Sequence, residues 1–141
     1  MSGSLKICSV DPELSEKLKK FRFRKALTTS AIILKIARET QEVLLDEELE
    51  NCTIDDIRES LPEQQPRFVM ISYRLEHDDG RVSMPLCLLY HSPPGGNPEI
   101  QMMYAGSRNN LSQETGINKG IEIRDLEELT DEYIQSKLGV K

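Results

Sequence analysis

Residues 97–111 read NPEIQMMYAGSRNNL, and the reading of this stretch decides the fold. Asn97 is a helix-capping residue, and Pro98 suits the first helical turn, where a missing N–H leaves nothing unpaired. At about 100° per residue, Ile100, Met103, Tyr104, Ser107 and Leu111 fall on one side, which reads as a core face. Met102, Ala105, Gly106 and Asn109 fall on the other. Glycine inside a helix costs roughly 1 kcal/mol relative to alanine, so its presence needs a reason. A methionine exposed beside small residues makes a flat, adaptable patch that a partner approaches closely. The competing reading ends the helix at Gly106 and packs Met102 under a loop.

The chain has 141 residues, enough for one domain with a proper core. Its composition is that of a soluble globular protein. A net charge of −6 argues against a general nucleic-acid binder. One region is basic: Lys17, Lys19, Lys20, Arg22, Arg24 and Lys25 cluster ahead of the first apolar run. As a plain feature, the run is a solvated helix face followed by a loop. As a site, it fits an acidic protein surface or a phosphoinositide headgroup. Cys8, Cys52 and Cys87 are odd in number and widely spaced, so neither a disulfide framework nor a zinc site is indicated. No apolar leader follows Met1 and no run is long enough to span a bilayer. An intracellular, soluble chain is expected.

Outward from the central helix, Asp11-Pro12 starts a helix with Leu14, Leu18 and Phe21 inward, running to about Phe21. Ala31–Arg38 and Val43–Leu49 form a strand hairpin. Thr53 caps a short helix, Ile54–Ser60, with Asp55 and Asp56 in its first turn. Arg67–His77 reads as one long strand whose Val69, Ile71, Tyr73 and Leu75 face the core. Asp78-Asp79-Gly80-Arg81 turns it into Val82–His91, which Pro85 demotes to an edge or a bulge. After the central helix come a strand, Ile121–Arg124, and a capping box, Asp125 with Glu128. Leu126, Leu129, Tyr133, Ile134 and Leu138 give a closing helical stripe, with Gly139 as its cap. Such an order predicts an α+β fold, a central mixed sheet with helices on its faces.

Catalytic signatures are scarce. There is no nucleophile elbow, and His77 and His91 lie beside a turn and a loop. Gly95-Gly96 lacks the lysine of a phosphate loop, and HDDGR lacks the spaced ligands of a calcium loop. The chain is expected not to be an enzyme, and to use no cofactor and no metal.

Several stretches resemble a known family. EIQMMYAGSRNNL (99–111) is similar to the long helix of the actin-depolymerising factor homology fold, the cofilin fold. KLKKFRFRK (17–25), VLLDEELE (43–50), LPEQQPRF (61–68), HDDGRVSMPLC (77–87) and LTDEYIQSKLG (129–139) are closer to one branch, the glia maturation factors. The resemblance covers residues 4–139 and implies a single ADF-homology domain over that span, monomeric. Severing cofilins carry basic residues just before the exposed methionine, where this chain has Glu99 and Gln101. That departure argues against a filament-severing or monomer-binding protein of the cofilin type, the alternative reading.

What the resemblance implies instead is binding to the actin-related protein 2/3 complex, inhibition of its nucleation, and debranching of actin filaments. One partner-binding surface would hold Ser2, Lys20, Arg22, Arg24, Met102, Met103, Gly106 and Arg108. A second, from Asp79, Arg81, Glu122 and Arg124, would press on the first actin subunit of the daughter filament. Ser2 is a position often phosphorylated in this fold, although Gly3 departs from the acidic residue of some relatives. The expected place is the cytoplasm, at cortical or lamellipodial branched actin, with the nucleus as a second location.

Overall fold

The computed structural model describes residues 9–23, 27–117 and 119–138. The elements are β1 (Ser9–Val10), α1 (Pro12–Arg22), β2 (Ser30–Ala37), β3 (Glu42–Leu49), α2 (Ile54–Ser60), β4 (Arg67–Ser72), β5 (Leu75–Glu76), β6 (Val82–Ser83), β7 (Leu86–His91), α3 (Pro98–Thr115), β8 (Gly120–Ile123), a 3-10 turn (Leu126–Glu128) and α4 (Asp131–Lys137). Six strands form one sheet in the order β1-β3-β2-β4-β7-β8. The inner pairings are antiparallel, while β1 on β3 and β8 on β7 are parallel, so the sheet is mixed.

Successive strand residues point to opposite faces, and here both faces are covered. Ile32, Leu34, Phe68, Met70, Leu88 and Tyr90 pack with Leu14, Leu18 and Phe21 of α1 and Met103, Tyr104 and Leu111 of α3. Ala31, Ile33, Val69, Ile71, Cys87 and Leu89 pack with Ile54 and Ile57 of α2 and Ile134 of α4. The expectation that one set of Arg67–His77 alone faces the core is therefore corrected: Phe68 and Met70 are as buried as Val69 and Ile71.

The long hairpin also divides. β4 and β7 pair from Arg67↔His91 to Ser72↔Leu86, then Tyr73 N donates to Pro85 O at 3.0 Å. Pro85 has no N–H to continue the ladder, and β5 and β6 form a separate ribbon beyond it. β7 lies between β4 and β8, so Pro85 marks a break and not an edge. At the ribbon's tip Gly80 takes φ 90°, which its lack of a Cβ permits. The closing stripe splits as well. Glu128 Oε1 accepts from the N–H groups of Arg124 and Asp125, completing the capping box of the 3-10 turn. Thr130 then starts α4, its side chain accepting from Tyr133 N at 3.1 Å. Gly139 lies outside the described residues.

Candidate docking face

The central helix forms because both ends are supplied. Asn97 Oδ1 accepts from the N–H groups of Glu99 (2.8 Å) and Ile100 (3.3 Å), and Pro98 occupies the first turn. The helix passes Gly106 and Leu111 without interruption and stops at Gly116, left-handed at φ 72°, whose N–H donates to Ser112 O. The early-ending reading is thus excluded. Ser107 and Leu111 are buried, and Tyr104 packs 5.4 Å from the Phe68 ring while its hydroxyl accepts from Ile36 N. The opposite side is open: Met102 is 48 % exposed, Ala105 and Asn109 are exposed, and Gly106 is half-buried. Met103 is corrected here. At 2 % exposure it belongs to the core, because one residue along a helix turns the side chain by about 100° from Met102.

Glu99 and Gln101, expected from the resemblance to depart from severing cofilins, have distinct fates. Glu99 remains at the surface, its carboxylate 3.0 Å from Arg38. Gln101 turns onto the preceding loop, where its amide donates to the carbonyls of Pro93 and Gly95. Of the two, only Glu99 places a charged group at the surface.

The basic end of α1 adjoins the far end of α3. Lys20 and Arg22 are exposed, and the Arg22 guanidinium lies 5.4 Å from the ring of Phe23. A Cβ on Gly116 would collide with Arg22 Nη1. Arg22 therefore covers the carbonyl end of α3, whose own last turn holds no basic residue. Fourteen residues of helix separate Met102 from Gly116, roughly 20 Å at 1.5 Å per residue. Ser2 and Arg24 lie outside the described residues.

The four residues of the second expected surface lie at two places on the fold. Asp79 and Arg81 pair at 2.6 Å on the β5–β6 tip, and the Arg81 N–H, then its side chain, hold the Asp79 carboxyl below its ordinary range. Glu122 and Arg124 lie elsewhere. Parallel pairing sets Ile123 beside His91, at the Arg67 end of the sheet, whereas the tip leaves from the Ser72 and Leu86 end. Six strand residues, roughly 20 Å, intervene. Register places Glu122 beside Tyr90, on the α3 side, where its carboxylate meets Arg108 Nη1 at 3.0 Å. Sequence spacing held no sign of this pair, because sheet register is what brings β8 beneath α3.

His91 ends β7 fully buried, its ring near the Gln65 backbone but without a well-formed hydrogen bond among the described residues. Burial, then the charge of Arg67 across the ladder, pushes its pKa down. A folded pKa below the unfolded value contributes stability above the unfolded pKa, about 6.5, and loses it as pH falls toward the folded one. The melting temperature is expected to fall between pH 7 and pH 5, and the His91→Phe variant to show a shallower fall by calorimetry.

Among the described residues no group of His, Cys, Asp and Glu is placed to hold a metal ion, and no helix is long and apolar enough to cross a membrane. Residues 7–139 match the family described as cofilin/tropomyosin-type actin-binding protein. The human glia maturation factor beta is 53 % identical over 139 residues, covering 99 % of this chain and 98 % of that one. The Drosophila melanogaster glia maturation factor is 42 % identical over 94 % and 96 %. The solution structure of glia maturation factor from Caenorhabditis elegans superposes with a TM-score of 0.82 at 47 % identity, covering 97 % of this chain and 99 % of that one. The chain belongs to the cofilin/tropomyosin-type actin-binding family, in its glia maturation factor branch.

Proposed function

We propose that this chain binds the actin-related protein 2/3 complex, inhibits its nucleation of actin, and detaches existing branches. The observation that carries the reading is the outer face of α3: Met102 stands exposed over Gly106, with the carboxylate of Glu99 at the start of the same helix. Gly106 lets a groove wall approach the helix backbone closely. Met102, Gly106 and Arg108, with Lys20 and Arg22 beside the other end of the helix, form the first surface, and Ser2 and Arg24 are assigned to it from the resemblance. Asp79 and Arg81 form a second, distant surface for the first actin subunit of the daughter filament. A protein whose two surfaces fit only the separated arrangement binds that arrangement better and shifts the branch toward release. No bond is broken and no cofactor takes part. A phosphate on Ser2 would add nearly two negative charges near the basic cluster and weaken docking. The places of action would be cytoplasmic branched networks.

In a binding assay the chain is expected to be retained by the immobilised complex and to leave bare actin filaments in the supernatant. Retention by bare filaments alone would transfer the function to the cofilin type.

A further inference from the structure

We propose that the groove between α3 and the edge strand β8 receives a carboxylate of the docked partner, and that Glu122 fills that place in the free protein. The inference rests on the reading that α3 is the docking helix.

Arg108 reaches across the groove. Its guanidinium lies 5.9 Å from the centroid of the Tyr90 ring and 3.0 Å from Glu122 Oε1. Both partners are a little under half exposed. Two surface cavities flank the pair, of about 350 Å³ and about 360 Å³, and both are lined by Arg108 and Glu122. The ion pair is therefore a bridge that divides one groove. The second cavity is also lined by Ala105 and Arg124, which joins the groove to the open face of α3.

The charge is unlike that of the chain as a whole. Arg108 and Arg124 supply two cations to the walls and Glu122 the one carboxylate, on a protein of net charge −6. The groove thus favours an anion on a chain that is acidic as a whole. Glu122 can yield its place without moving the sheet. Its backbone is fixed by the β7 pairing and by Tyr133, whose hydroxyl donates to Glu122 O at 2.9 Å. An exposed ion pair is held weakly because water screens it. A partner carboxylate enclosed by the interface would hold Arg108 more firmly, since docking removes that water. Glu122 then acts as a stand-in for the partner's acid.

The test is the affinity of the full chain for the actin-related protein 2/3 complex, measured for four variants against the wild type. Glu122→Gln is expected to bind about two- to fivefold more tightly, the range that loss of one exposed competing pair allows. Arg108→Ala is expected to bind more weakly, and Arg108→Ala combined with Glu122→Gln to bind no better than Arg108→Ala. Glu132→Gln removes an exposed carboxylate from α4 and is expected to change nothing. Unchanged or weaker binding by Glu122→Gln overturns the inference, and so does an equal gain in Glu132→Gln or in the double variant. Tight binding by the wild type with no gain in Glu122→Gln overturns this inference alone. A wild-type chain that does not bind the complex overturns the proposed function and this inference with it.

Discussion

Exchange of Lys20 and Arg22 for glutamate together is expected to lower affinity for the actin-related protein 2/3 complex by roughly tenfold or more. Each reversal replaces an attraction with a repulsion, and exposed pairs of this kind are worth up to about 1 kcal/mol apiece. Both side chains are exposed at the last turn of α1. Lys20 has no part in the core. Arg22 covers the carbonyl end of α3, so a carboxylate there costs up to about 1 kcal/mol of stability. The melting temperature should fall by no more than about 4 °C in calorimetry. Met102→Ala in the same binding assay is expected to lose about 1–2 kcal/mol, as a truncated interface anchor does, with the melting temperature unchanged. Unfolding of either variant would mean that these side chains support the core and not a partner.

The largest effect on stability is expected from Phe68→Ala, a loss of about 3–5 kcal/mol. Phe68 is fully buried, with its ring 5.2 Å from Tyr90 and 5.4 Å from Tyr104. Removing it opens a cavity between β4, β7 and α3 that the paired strands cannot close. A domain of this size has about 5–15 kcal/mol in all, so denaturant titration should find a fifth or more of it gone. Tyr104 rests on Phe68 from the inner side of α3, so the docking helix loosens with the core. Binding should fall in proportion to the unfolded fraction, which separates this variant from the exchanges on α1. A loss below about 1 kcal/mol would mean that α3 does not pack on this ring.

How much of this was legible follows from which interactions are local. The start of α3 was, because Asn97 and Pro98 act on the N–H groups just beyond them. Its faces were, because a helix turns by a fixed angle per residue. Its end was placed four residues early, because Thr115 and Gly116 follow a polar stretch with no apolar mark until Ile117. Thr53 and the Asp125–Glu128 box were read correctly for the same local reason. The break at Tyr73 and Pro85 was half visible: proline marks a fault, but the separate β5–β6 ribbon depends on both strands leaving the ladder together. β1 was missed, since two residues pairing with β3 carry no periodicity. At the site, Met102 and Gly106 followed from the helical wheel. The carry-over of Met103 ignored that wheel. The separation of roughly 20 Å between Glu122 with Arg124 and Asp79 with Arg81 was not legible, because it is set by sheet register, which no short motif records.

The most direct measurement of the central claim is time-resolved fluorescence imaging of single branch junctions, assembled from actin and the actin-related protein 2/3 complex, with and without this protein. Branches are expected to detach faster in its presence, while unbranched filaments in the same field keep their length. Unchanged branch lifetimes, or filaments cut along their shafts in a field without the complex, would contradict the account.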